Sequence, residues 1–525
     1  LNGAASKYNT LIGARSGTSG TTGFDTNTAV GCFTLDRCTE NANANVAIGY
    51  ASMHGDFGTN DVVKCVAVGQ DSLSGTLTST AIGTVAVGFH ALKALTSGSN
   101  NVAIGYQAML EETTGGNNTV VGHSAMNDSL AGLENDNNTF IGYSSGGGTW
   151  LTTASNSNTA VGSNTMIGAM NDADYNTAMG NNALSALTLG DNNTAIGYNA
   201  LTSGTSSTEN TIVGSLAGDA LVGGGSNTIV GAHAGGQTTA VGKTVIIGAE
   251  AGESVMTTDA IGTVAVGYEA LKSLTAGDAN TAVGHTSLKT CSTGTNNTAL
   301  GFNTLSSATG IGNTALGATA GGSISDGTHN IFIGYASGNH NINVSTGDFN
   351  TVIGSLSDTS AADAQGQVAI GYDVSCIANS TVTIGQGGNK ASLGLDGSDT
   401  SWAATSDERY KENIETSTAG LSFVNDLRPI TYNWKKEKDV PVDMPDYKEG
   451  SDKPVKGHEY GTTLHGFVAQ EVKVAIDEHG EIKEGFKMWK EADDGVQTVA
   501  HGNLVPMLVK AVQELSAKVE ALENA

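Results

Sequence analysis

Residues 176–197 read NTAMGNNALSALTLGDNNTAIG, and the five-residue unit at each end decides the fold. Its closing glycines, Gly180 and Gly197, lie 17 residues apart, and the same step leads on to Gly214 and Gly231. Copies run from NTLIG at 9–13 to TVTIG at 381–385, 23 in all; gaps of 16 to 20 are common, and TTAVG at 238–242 is out of step. A short fixed period means a solenoid, in which each coil stacks on the next and none folds alone.

The unit has the chemistry of a strand and a turn. Position two is usually Thr or Val, and position four is aliphatic or Met, as in Ile48, Val87, Ile104, Val161, Met179 and Leu300. Side chains alternate along a strand, so these two share a face. Position three, most often Ala, takes the opposite face. A water-facing row would be more polar, so the Ala row is expected to meet another surface, with the solenoid packing on copies of itself. Position five is Gly, suited to a positive φ. Position one is usually Asn, which tolerates turns and hydrogen-bonds along a stack. Four residues after the Gly comes a second recurring position. It is Leu or Met in one flavour (Leu92, Met109, Met126, Leu184, Leu201, Leu271, Leu305) and Gly in the other (Gly218, Gly235, Gly252, Gly321, Gly338). Residues 80–105 and 259–284 are near-copies at an offset of 179, as growth by duplication would leave them. Over most of 9–385 the pattern resembles the parallel β-roll heads of trimeric autotransporter adhesins, which implies a trimeric parallel β-solenoid.

Composition divides the 525 residues sharply. Residues 1–405 hold 9 Lys+Arg and 28 Asp+Glu; residues 406–525 hold 15 and 23, and all five prolines. A net charge of −27 argues against nucleic acid or an anionic membrane surface as partner. No run of 18 apolar residues occurs, so no membrane insertion is expected. Leu1 opens the chain in mid-repeat without a leader pattern, which reads as a processed product or a piece. Cys32, Cys38, Cys65, Cys291 and Cys376 are scattered and are expected as buried free thiols. No spacing of Cys, His or acids marks a metal or cofactor site, and neither is expected. Acids such as Glu111, Glu112, Glu134, Asp136, Asp172 and Asp174 fall between units and read as solvated loop charge. Tyr143 and Trp150, in the Gly-rich stretch 143–157, are candidates for stacking on a receptor sugar.

The organisation expected is a β-solenoid shaft over 1–385, a neck over 386–405, and a small α/β domain over 406–525. In the last, Leu421–Leu427 has helical spacing, 430–434 reads as a strand, 435–458 as a charged loop, 464–476 as strand into helix, and 496–500 as a strand. Residues 503–524 form a final helix. Its apolar residues Leu508, Val512, Leu515, Val519 and Leu522 step by 4, 3, 4, 3, the seam of a trimerising coiled coil.

Four stretches carry a second resemblance: SDERYKENI (406–414), LRPITYNW (427–434), HGFVAQEV (465–472) and VAHGNLVPMLVKAVQEL (499–515). They resemble, in order, the C-terminal intramolecular chaperone domain of phage tailspikes and tail fibres, named after the endosialidase tailspikes. The resemblance implies a domain that trimerises, sets three chains in register, and then cuts its own chain before the Ser of Ser-Asp. Carried over, Ser406 is the nucleophile, Lys411 its base, Asp407 the acidic position, and Thr405–Ser406 the cut bond. His465 and His501 also lie in matching segments and read as structural. The chemistry is sound on its own terms: a Ser hydroxyl needs a neutral base, and Lys serves where burial favours the free amine.

The reading is a homotrimeric phage tail fibre or appendage, assembled in the host cytoplasm and carried on the virion. Its partners would be other tail proteins and a host-surface glycan or protein receptor. The rivals are a bacterial surface trimeric adhesin, which would need an export signal and a membrane β-barrel, and a glycan-degrading tailspike, which would need a groove of clustered acids.

Overall fold

The computed structural model describes residues 7–18, 23–38, 41–58, 60–78, 80–395, 397, 402–404, 406–455, 461–492 and 494–525. The chain divides into two compact units, Leu1–Thr405 and Ser406–Ala525.

The first unit is a parallel β-solenoid. Each in-step repeat contributes one short strand, from Thr10–Ile12 through Thr177–Met179 and Thr194–Ile196 to Thr381–Gln386, and each strand pairs in parallel with the next in sequence. Register follows the unit: Thr177 pairs with Thr194, Ala178 with Ala195, and Met179 with Ile196. The out-of-step TTAVG at 238–242 is not a strand but part of the link between Thr228–Val230 and Val245–Ile247. Residues 386–405, expected as a neck, carry structure of their own. Asn389–Gly394 folds back antiparallel on Thr381–Gln386, and Ala403–Ala404 pairs antiparallel with it in turn.

The faces are the reverse of those expected. The Ala row lies inside the coil: Ala47, Ala103, Ala178, Ala195 and Ala299 are all fully buried. Positions two and four look outward, half-buried to exposed, as with Met179 at 48% and Leu300 at 46%. The physical reason is the narrowness of the coil. Position three points at the residue four after the Gly, which comes from the opposite wall, and little room lies between them.

That shared space explains the two flavours. Where position three is Ala, the facing residue is generally Leu or Met, as in Ala178 with Leu184 and Ala195 with Leu201, all buried. Where position three is large, the facing residue is Gly: Ile212 with Gly218, Ile229 with Gly235, Ile246 with Gly252, Phe140 with Gly146, and Phe332 with Gly338. A Cβ on Gly218 would stand 2.9 Å from Ile212 Cδ1, and one on Gly338 would stand 2.3 Å from the Phe332 ring. Gly321 follows an Ala, but Phe332 of the next coil reaches over it. The facing residue adopts a left-handed backbone even when it is Leu, with φ of +52° at Leu184 and +50° at Leu201. That conformation costs an L-residue roughly 1–2 kcal/mol, which burial of the side chain, worth roughly 1.5–3 kcal/mol, offsets.

The exchange of volume gives a testable cycle. Ile212→Ala is expected to cost about 2–5 kcal/mol by leaving a void, and Gly218→Leu about 1–3 kcal/mol by overfilling the coil. The double variant rebuilds the Ala–Leu arrangement and should be closer to wild type than the sum of the two. Hydrogen-exchange protection of Thr211–Val213 reads the coupling.

Asn at position one also points inward. The backbone N–H and Nδ2 of Asn193 both donate to Asn176 Oδ1, at 3.0 and 2.9 Å, and its Nδ2 donates to Ser207 O at 2.6 Å. The pattern repeats from coil to coil and satisfies polar groups that no water reaches.

The outward face carries stacked rings at the position after the Gly. Tyr106 lies between Phe89 and His123, with centroids 5.2 and 4.7 Å away, and Tyr143 continues the stack at 5.5 Å. Tyr268, His285 and Phe302 form a second column, with Tyr268 tilted against His285 at 5.1 Å and His285 stacked on Phe302 at 5.3 Å. The stacks coincide at the offset of 179 that relates the two near-copies. Trp150, a candidate for sugar stacking, is instead 1% exposed: its ring is edge-on to Phe140 at 5.7 Å and its Nε1 donates to Gly146 O at 2.9 Å. It fills the space that Gly146 leaves. Cys38, Cys65, Cys291 and Cys376 are buried, Cys32 is half-buried, and all five are free thiols.

Among its described residues the second unit packs three α-helices and two small antiparallel sheets. Helix α1 is Leu421–Asp426, α2 is Ala469–Glu478 and α3 is Val505–Glu523. Strand Ile430–Tyr432 pairs with Leu464–Gly466, and Trp489–Glu491 with Gln497–Val499. Ala419, Phe423, Leu427, Val472, Ala475, Ile476, Ile482, Met488 and Leu504 form the core. The Leu421 N–H at the start of α1 donates to Glu514 Oε2 of α3 at 2.9 Å, which supplies an acceptor to a free helix N-terminus.

Candidate functional site

The residues singled out from sequence lie at the first turn of the second unit. Asp407 opens a short 3₁₀ turn, Glu408–Tyr410, and acts as its N-cap: Asp407 Oδ1 accepts the Arg409 N–H at 2.9 Å. The Lys411 N–H donates to Glu408 O at 3.0 Å and closes the turn. The turn reverses the chain, so the side chain of Lys411 returns toward residue 406. Lys411 Nζ lies 2.8 Å from Ser406 Oγ, a hydrogen bond of the length expected between a nucleophile and its base.

Asp407 does not join that pair. Its carboxylate takes the Arg409 guanidinium in a fork, with Nε at 3.0 Å from Oδ1 and Nη2 at 2.6 Å from Oδ2. The guanidinium holds the Asp407 carboxyl below its ordinary value, with the Arg409 N–H and the charge of Lys411 adding to the effect. Sequence reading brought Ser406, Asp407 and Lys411 to this turn but passed over Arg409. The signal was there, since an acid two residues before an Arg at a turn start is a ready ion pair.

Thr405, on the other side of the expected cut, lies outside the described residues. His465 and His501 are exposed, and neither hydrogen-bonds Ser406 or Lys411 among the described residues. His501 lies 5.7 Å from the Phe467 ring.

Ser406 and Lys411 are both exposed on the single chain. A lysine serves as base where its surroundings are dry enough to favour the neutral amine. The geometry of nucleophile and base is therefore present among the described residues, with both side chains exposed.

Along α3, Leu508, Val512, Leu515, Val519 and Leu522 are exposed, while Ala511 on the inner side, and Leu504 just before the helix, are buried. The helix thus has one apolar stripe in the unit's core and a second facing out.

A family model described as chaperone of endosialidase, Peptidase_S74, matches residues 406–481. The match begins at Ser406, which is also the first residue of the second compact unit. No curated protein matches the chain, and no solved structure does. The C-terminal match and the repeat solenoid ahead of it fit a phage tail-fibre protein of the endosialidase type.

Proposed function

We propose that this chain is a homotrimeric phage tail-fibre or appendage protein whose C-terminal unit aligns three chains and then cuts itself free between Thr405 and Ser406. The observation that carries the reading is the 2.8 Å contact of Lys411 Nζ with Ser406 Oγ, at the residue where the chaperone match begins.

In the step proposed, Lys411 takes the Ser406 hydroxyl proton as Oγ attacks the Thr405 carbonyl carbon. The Thr405–Ser406 C–N bond breaks, and the proton passes to the departing Ser406 amine. Water then hydrolyses the ester, leaving a Thr405 carboxylate and the Ser406 hydroxyl. Trimer formation supplies the cover that the exposed dyad lacks.

Two apolar surfaces support three copies: the outer stripe of α3, at coiled-coil spacing, and the outward strand face with its stacked rings. A trimer of near-identical coils invites slips of register. A clamp formed first at the C-terminus sets the register, and the cut removes the path back. On the virion such a fibre attaches to other tail proteins and reaches a host-surface receptor.

Native and denaturing mass spectrometry of the freshly made chain test this. Three copies under native conditions, and fragments 1–405 and 406–525 under denaturing ones, are expected. An uncut monomer of 53.0 kDa overturns both halves of the proposal.

A further inference from the structure

We propose that Arg409 is a positioning residue for the cut: by clamping the Asp407 carboxylate it keeps that carboxylate off Lys411, and so leaves the Lys411 amine facing Ser406. This rests on the self-cleavage reading above and adds a residue to it.

The argument is one of competition within a six-residue turn. Three charged groups, Asp407, Arg409 and Lys411, are gathered by the 3₁₀ turn Glu408–Tyr410. A single carboxylate between two cations can pair with either. Here both of its oxygens are committed to Arg409, through Nε at 3.0 and 3.2 Å, Nη2 at 2.6 Å, and the Arg409 backbone N–H at 2.9 Å. A planar guanidinium holds a carboxylate in this fork as an ammonium does not. Lys411 Nζ is left on the Ser406 hydroxyl. The charge of Lys411 is still felt at Asp407, so the carboxylate is close enough to attract the ammonium once Arg409 is removed. The side chains of Glu408 and Glu412 are exposed, and neither hydrogen-bonds Lys411 among the described residues. A Lys paired with a carboxylate holds its proton, and a protonated Lys accepts none from Ser406.

Arg409 is itself exposed, and an exposed pair is worth little, so the effect is modest. Arg409→Gln is expected to slow cleavage about two- to five-fold near neutral pH and to move the alkaline rise of the pH–rate profile to higher pH. Arg409→Lys keeps a cation near Asp407 and should fall between. Adding Asp407→Asn to Arg409→Gln removes the competing charge while Asn still caps the turn. The rise should then return toward the wild-type pH.

The test uses full-length chain from cell-free synthesis, shifted into buffers from acid to alkaline pH and quenched in denaturant for mass analysis. Native mass spectrometry checks that each variant assembles. A rise that moves with Arg409→Gln and returns in the double variant supports the proposal. A slower rate with an unmoved rise, or no change at all, overturns it, because a role in turn stability alone does not shift the profile. A wild-type chain that stays whole at every pH overturns the self-cleavage reading itself, a result distinct from cleavage that ignores Arg409.

Discussion

Full-length chains carrying Ser406→Ala or Lys411→Ala are expected to stay whole at 53.0 kDa while the wild type separates into two fragments. Removing the nucleophile or base of such a pair costs about 10⁴-fold or more in rate, enough to leave no product on a laboratory timescale. Lys411→Arg should fail as fully, since a guanidinium does not give up its proton. Ser406→Cys should retain slow cleavage, because a thiol can serve as the nucleophile. Both side chains are exposed on the single chain, so none of these changes should disturb folding. Cut and uncut fibres should then differ in how they melt. An uncut trimer keeps its aligning clamp and should reassemble on cooling. A cut shaft that has lost its clamp should resist heat through slow unfolding and fail to reform once melted. If Ser406→Ala is cut as the wild type is, the dyad assignment is wrong.

Gly197→Ala is expected to break the shaft locally, at a cost of about 3 kcal/mol or more from left-handed strain and overlap together. Gly197 has a φ of +139°, and a Cβ there would lie 2.3 Å from Gly214 O and 2.6 Å from Gly214 C of the next coil. Backbone cannot rotate out of the way as a side chain can. Gly180 sits on Gly197 in the same manner, so the glycines form a continuous row of close backbone contacts. Each coil touches only its neighbours, so protection from hydrogen exchange should be lost around Thr194–Ile196 and Thr211–Val213 and kept in distant coils. Gly223→Ala serves as the control, since its nearest outside atom is Ser206 Oγ at 3.5 Å. Equal loss in both variants would mean that the glycine row is not a close-contact row.

Period, strand position and parallel stacking were legible because backbone geometry imposes them on every coil. Gly197 must be Gly, and Asn176 must find partners at each step, so both recur visibly. Facing was misread because Ala178 is small, and smallness was taken as room for a second molecule. What decides it is the sum of two side chains across the coil, Ala178 with Leu184 or Ile212 with Gly218, and that pairing becomes visible only when the two positions are compared within each repeat. Trp150 was misplaced for the same reason: the small Gly146 and large Phe140 beside it mark a space to be filled. In the second unit, helices with clear apolar spacing were legible, whereas strand Trp489–Glu491, short and half polar, carries no period to detect. The contact between Ser406 and Lys411 followed from resemblance. The fork between Asp407 and Arg409 was signalled by their spacing of two, but that it takes both carboxylate oxygens depends on how the turn closes.

The antiparallel return of Asn389–Gly394 has a consequence for the number of coils in the shaft. A column of parallel strands is an open-ended polymer: its last member offers the same seat that every earlier strand offered to its successor. Here the seat on Thr381–Gln386 is taken by a strand of opposite polarity, tied down further by Lys390 Nζ donating to Ser375 O at 2.7 Å. A coil from another molecule would need a parallel template and meets an inverted one. Head-to-tail growth into filaments is thereby terminated at this end, and the number of coils stays as encoded, unaffected by protein concentration.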